Sequence, residues 1–286
     1  MTEIGEIISP PGAGRHAKNN VNCPFCPEEP ADPWTTFAGA RNNSQVLAAL
    51  LKSPGALSEK QSGARPKDGA KHRQAEDDAS PPPPSKTWSF EAHHLISGKQ
   101  ALKKVPAMEA WITGEKIDGD TGYSVNNARN GIWLPSVPKE YVSGGFGKLS
   151  EQEKFEIAVA AMKEHKGQFH KGPHNVKPEP GDEDEHHNSY DVWLIENLAA
   201  IAERIALWST KCPLCAKRED QKKKPRPSVE VHEILDRFSD LVRKKVTGSP
   251  RRWHIFISKL AYWYHMQEAH KLRAEFTEGR YTPVQM

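Results

Sequence analysis

Thr87-Trp88-Ser89-Phe90-Glu91-Ala92-His93-His94-Leu95-Ile96 is the stretch on which the reading of this chain turns. Its opening, with two aromatic side chains, is strand-like, and it runs into two adjacent histidines. Successive residues of a strand point to opposite faces. A His-His pair at a strand end therefore offers one imidazole to each side, one for a metal ion and its neighbour for a water molecule. By itself the pair is a weak signal, because the chain carries a second one at His186-His187.

Two further pieces follow in order. Asn130 opens the apolar run Gly131-Ile132-Trp133-Leu134-Pro135, which reads as a second strand. His170-Lys171-Gly172-Pro173-His174 then holds two imidazoles around a Gly-Pro turn. Together the three pieces fit one solution to phosphodiester hydrolysis. A hairpin gives one histidine to a divalent ion, a later segment adds two more nitrogens, and an open coordination position is left for a phosphate oxygen. A histidine-rich surface on an ordinary α+β fold is the bland alternative, and the order of the pieces argues against it.

With Ala92-His93-His94, Asn130 through Pro135, His170-x-Gly-x-His174, and Tyr190 leading into a helix with Val192 and Leu198, the chain resembles the AHH branch of the HNH/endonuclease VII superfamily. That branch is widespread among polymorphic bacterial toxins. The resemblance runs from about Trp88 to Leu207. It implies an α+β fold whose nuclease core is of the ββα-metal (HNH, treble-clef-like) type with added helices. It further implies that His93 binds a catalytic divalent metal (Mg²⁺ or similar) and that His94 is the general base. Asn130 would brace the hairpin, and His170 and His174 would complete the metal site. In one place the chain departs from the family pattern. The acidic insert Pro178–Glu185 separates His174 from Tyr190, where the family shows H-x-x-Y directly, and His187 stands at that spacing. The intact His170-x-Gly-x-His174 favours His174 as the last ligand, with His187 as the alternative.

The four cysteines form two pairs, Cys23-Pro-Phe-Cys26 and Cys212-Pro-Leu-Cys215. Two such knuckles suit one tetrahedral structural Zn²⁺. Closing the long loop between them costs about 4–5 kcal/mol of chain entropy, against the roughly 10–16 kcal/mol that such a site offers. Lys and Arg number 40 against 37 Asp and Glu, and only 36% of the 286 residues are hydrophobic. This near-balance neither demands nor excludes nucleic acid, since binding depends on where charge is placed. No apolar run reaches the ~18 residues a spanning helix needs. Met1-Thr2-Glu3-Ile4-Gly5-Glu6 lacks the basic start and apolar core of a Sec signal.

These features divide the chain into an N-terminal segment with the first knuckle (1–52), a disordered Pro-rich linker (53–86), the nuclease domain ending in the second knuckle (87–215) and a C-terminal helical segment (216–286). Helices are expected over Ser44–Leu51, Lys99–Trp111, Ser150–His165, Ser189–Ser209, Ser228–Val246 and from Ser249-Pro250 to about Glu275. The fourth should bury Val192, Ile195, Leu198, Ile201 and Ile205. The last should bury Trp253, Phe256, Tyr262, Trp263 and Tyr264 as core packing.

The resemblance implies a DNase effector with DNA as its substrate. It would be made in a bacterial cytoplasm, exported without a Sec signal by a route such as type VI secretion, and delivered into a target-cell cytoplasm. A cognate immunity protein and a secretion-apparatus or chaperone partner would accompany it, with no membrane partner. An RNase of the same fold is an alternative, disfavoured by the lack of RNA-module aromatic signatures. A non-enzymatic, zinc-scaffolded adaptor using its C-terminal helices is another.

Overall fold

The computed structural model describes residues 43–51, 88–113, 115–116, 123–171, 174, 188–211, 224 and 229–277. The four cysteines, the stretch 53–86 and His187 lie outside these residues. In chain order the elements are α1 (Ser44–Leu51), β1 (Trp88–His94), α2 (Pro106–Glu109), β2 (Gly131–Pro138), α3 (Glu151–His165), β3 (Asn188–Ser189), α4 (Tyr190–Lys211), α5 (Val229–Val246), β4 (Ile255–Phe256) and α6 (Lys259–Thr277). β1 pairs with β2, and β3 with β4. In the first pair Ser89 Oγ donates to the carbonyl of Val137, while the Leu95 amide donates to the carbonyl of Asn130 (2.8 Å), so the strands run antiparallel. Helices with a small sheet of this kind make an α+β arrangement.

The described residues fall into two compact units. One takes its residues from 59–93, 133–190 and 244–286. Its core joins Ile157, Ala158, Ala161 and Met162 of α3 with Trp253, Phe256, Leu260, Ala261 and Tyr264, and closes over Trp88, Val137 and Phe169. Helix α3 starts where the sequence says it should. Ser150 Oγ accepts from the Glu153 amide (3.3 Å), and Glu153 accepts in return from the Ser150 amide (2.8 Å), a complete capping box. The helix ends at Lys166, which takes a left-handed conformation at φ 53°. Trp253, Phe256, Tyr262 and Tyr264 are buried in the core, whereas Trp263 is only half-buried and packs against its edge.

Two expected helices differ from what forms. Ser249-Pro250 opens only a single 3₁₀ turn, Pro250–Arg252, and α6 begins at Lys259. Between them Ile255 and Phe256 pair in parallel with Asn188 and Ser189. A tertiary strand contact thus overrides a local helix signal, and two-residue strands leave no periodicity to read. In the other unit, Lys99–Trp111 is not one helix but a 3₁₀ turn, Leu102–Lys104, followed by α2. Val105 sits at φ −121°, ψ 76° between them. Pro106 forbids helical geometry to the residue before it and lacks the amide that would continue the ladder.

That second unit takes its residues from 1–58, 94–132 and 191–243. Leu194, Leu198, Ile201 and Ile205 of α4 are buried, as are Ile234, Leu235, Phe238 and Val242 of α5, and Trp193 stacks on Phe238 with ring centroids 5.6 Å apart. Val192 is exposed and Ile195 only half-buried, because the buried face of α4 turns through Leu194 rather than through them.

Arg129 ties the start of β2 to α5 through Asp240 (2.5 Å) and Asp236 (3.8 Å). Burial dominates at Asp236 and raises its carboxyl from 3.8 to about 6 despite Arg129. A carboxyl raised on folding binds its proton more tightly in the native state. The ionised form therefore costs stability above about pH 6, and that cost fades as pH falls towards 3.8. Asp236→Asn should accordingly be more stable than wild type by about 1–3 kcal/mol above that window, with the gap closing below it. Thermal denaturation across the window reads this, and an equal gap at both ends would remove Asp236 as the cause.

Candidate metal centre

Every side chain of the candidate centre comes from the unit that holds most of β1. Trp88 through His94 alternate across the strand, so Glu91 and His93 share a face. His93 is 3% exposed, and its ring meets those of His170 and His174 at centroid distances of 5.0 and 4.9 Å. The potential ligand atoms of these three histidines all lie within 4.8 Å of one another. Tyr190, at the first position of α4, shares a hydrogen bond with His93 Nε2 (3.1 Å).

His170 reaches the cluster because its segment is fastened on both sides. The His170 amide donates to the Pro135 carbonyl on β2 (2.8 Å). Two residues earlier, the buried Gln168 side chain donates to the Ile255 carbonyl (2.7 Å) and accepts from the Ile257 amide (2.8 Å). Ser258 Oγ donates to the Phe169 carbonyl (2.7 Å). The loop that carries His170 is therefore held like an extra strand.

Glu91 Oε2 pairs with His170 Nδ1 (2.7 Å), which leaves Nε2 as the nitrogen of His170 able to hold an ion. Ser136 Oγ stands 2.8 Å from Glu91 Oε1 and 3.0 Å from the His170 carbonyl, able to donate to either. The His170 hydrogen bond, foremost, holds the Glu91 carboxyl below the usual carboxylate range, against a burial effect that opposes it. Burial, reinforced by His170, pushes His174 down to about 4. Its ring is then neutral at neutral pH, the form that ligates metal. Three imidazoles, one kept neutral and one oriented by a carboxylate, fit a divalent ion of the borderline transition type.

Glu91 was not among the residues singled out from the sequence, although strand alternation from His93 points to it. Ser136 and Gln168 left no signal of that kind. Glu91→Gln should weaken metal binding about 10–100-fold with the fold retained, as read by calorimetric titration with Mn²⁺. Wild-type affinity in that variant would show that the carboxylate does not orient His170.

His94 and Asn130 belong to the other unit. His94 is 5% exposed and bonds through Nε2 to Asn126 Oδ1 (2.8 Å). Burial holds its imidazole below the usual histidine range, opposed by the Asn126 bond. Asn130 is fully buried and uses its whole side-chain amide. Oδ1 accepts from the Ile96 amide (2.7 Å) and Ser239 Oγ (3.0 Å), while Nδ2 donates to the carbonyls of Ile96 (2.9 Å) and Val125 (2.8 Å). It thus ties the start of β2 to the residues just past His94. Asn126 and Ser239 were not foreseen, and neither stands in a pattern that a sequence alone would flag.

The Ala-His-His element, the buried asparagine and the trio of imidazoles now have their places. Residues 75–211 match the AHH model. It is described as a nuclease family of the HNH/ENDO VII superfamily with conserved AHH. No curated protein and no solved structure matches the chain. The AHH match supports a nuclease, and it takes in β1, β2, α3 and α4 while leaving α1, α5, β4 and α6 outside.

Proposed function

We propose that the chain is a metal-dependent endonuclease that hydrolyses DNA phosphodiester bonds. The observation that carries this reading is the convergence of His93, His170 and His174, whose ligand atoms lie within 4.8 Å of one another. These three would hold the ion, with Glu91 orienting His170. When bound, a divalent ion supplies Lewis-acid stabilisation of the charge that develops on the phosphoryl and leaving oxygens. His94, buried and biased towards its neutral form, would take the proton from the attacking water. Asn130 would keep the backbone around His94 rigid through its four hydrogen bonds.

An all-imidazole donor set binds borderline transition ions more tightly than Mg²⁺, so Mn²⁺, Zn²⁺ and Ni²⁺ belong in the test beside it. Purified protein should nick or linearise plasmid DNA with an added divalent ion and be silent in EDTA. Cleavage undiminished by exhaustive chelation would sink the metal mechanism, and cleavage of RNA alone would move the substrate. The structural Zn²⁺ at Cys23, Cys26, Cys212 and Cys215 stays part of the proposal. So does the role of an exported antibacterial effector with an immunity partner, which rests on the toxin resemblance of the AHH branch.

A further inference from the structure

Asn126 Oδ1 lies 2.8 Å from His94 Nε2 and 2.9 Å from the backbone nitrogen of Asn43. A backbone amide can only donate, so the atom facing it must be the acceptor oxygen, which settles the orientation of the Asn126 amide. An oxygen that only accepts cannot serve a ring lone pair. His94 Nε2 therefore carries the proton, and the basic lone pair of the neutral ring is at Nδ1.

Asn43 is itself held by α1. Its side-chain oxygen accepts from the amides of Gln45 and Val46 (3.1 Å each), capping the helix, and its carbonyl accepts from the Leu47 amide (2.9 Å). The helix is anchored by fully buried Leu47 against Gly131, where an added Cβ would stand 2.6 Å from Leu47 Cδ1 and 3.1 Å from Leu51 Cδ1. Any larger residue at 131 would have to push the Leu47 side chain aside, so glycine lets α1 pack closely on the start of β2. From the loop side, Ser124 Oγ accepts from the Asn126 amide (3.2 Å). All these residues belong to one compact unit, yet α1 lies outside the 75–211 match.

We propose that α1 and Asn126 are a positioning device for His94. The Asn43 amide sets the Asn126 side chain, and Asn126 sets the ring orientation and the Nε2–H tautomer, leaving Nδ1 to act as the base. The AHH-matched region is then not catalytically self-sufficient, and the N-terminal helix is a working part of it. This inference rests on the reading of His94 as general base.

The test uses the full chain with Asn126→Ala, Asn126→Asp, Asn43→Ala and Asn43→Pro. Side-chain ¹⁵N shifts of His94 should report a protonated Nε2 in wild type and a mixed tautomer in Asn126→Ala. In Mn²⁺-supported cleavage, kcat of Asn126→Ala should fall about 10–100-fold, as expected for a misplaced catalytic group, with KM changed little. Asn126→Asp, whose carboxylate can accept both bonds, should recover most of that loss. Both Asn43 variants lose the helix cap, but only proline lacks the amide hydrogen, so Asn43→Pro should lose at least about tenfold more kcat than Asn43→Ala. A cooperative thermal melt and wild-type far-UV circular dichroism show that the variants are folded, and unchanged Mn²⁺ affinity at His93, His170 and His174 shows that the loss is not one of metal. An unaltered His94 tautomer in Asn126→Ala, or equal losses in the two Asn43 variants, would overturn the device. His94→Ala separates the two readings. If it is inactive while Asn126→Ala works at the wild-type rate, positioning alone fails. If His94→Ala is itself fully active, the base assignment fails and the inference falls with it.

Discussion

His94→Ala should lower plasmid cleavage by about 10²–10⁴-fold, the usual worth of general-base catalysis, while leaving the divalent metal in place. The two halves of that expectation come from different observations. His94 is not among the three histidines whose ligand atoms converge, so removing it takes no nitrogen from the candidate metal site. Its own surroundings suit a base. It is buried, and burial lowers its proton affinity below the usual histidine range, so the neutral ring prevails at neutral pH. The cavity left by the imidazole would cost some stability, so the comparison needs melting curves and metal content measured beside the rate. His93→Ala is the partner experiment, because it should lose activity and metal affinity together. A His94→Ala protein that cleaves within a few-fold of wild type would take this residue out of the mechanism.

The histidine trio is where the sequence was most informative. Each piece alone is a weak signal, but the order of the His-His pair, Asn130 and the H-x-x-x-H along the chain pointed to one cluster, and His93, His170 and His174 do come together. α3 was legible because its capping box is a local device with both partners three residues apart. What stayed hidden depends on long-range contact. Gln168 fastens the His170 segment by mimicking a backbone pair with Ile255 and Ile257, at a separation of almost ninety residues. Ser239 reaches Asn130 from a helix outside the AHH match, and nothing near Ser239 in the chain announces it. The break at Val105-Pro106 could have been foreseen, because proline restricts the residue before it.

The last ligand of the candidate metal site is the point on which two alignments of the family pattern disagree, and metal titration resolves it. His170→Ala should abolish tight binding under either alignment, which calibrates the measurement. His174→Ala should match that loss, since the His174 ring lies 4.9 Å from that of His93 and 5.2 Å from that of His170. Burial keeps it neutral, so it can ligate without first shedding a proton. Removing one of three nitrogens lets a further water onto the ion and should weaken its hold by at least about tenfold, the lower end of what even an outer-shell partner contributes. His187→Ala should bind Mn²⁺ and Zn²⁺ as wild type does, because in this arrangement the acidic insert Pro178–Glu185 follows the complete ligand set. The reverse order, with His187→Ala crippled and His174→Ala intact, would place the insert inside the motif and make His187 the ligand. Full affinity in both variants would reduce His170-x-Gly-x-His174 to a coincidence of composition, and the ion would then need a donor other than these imidazoles.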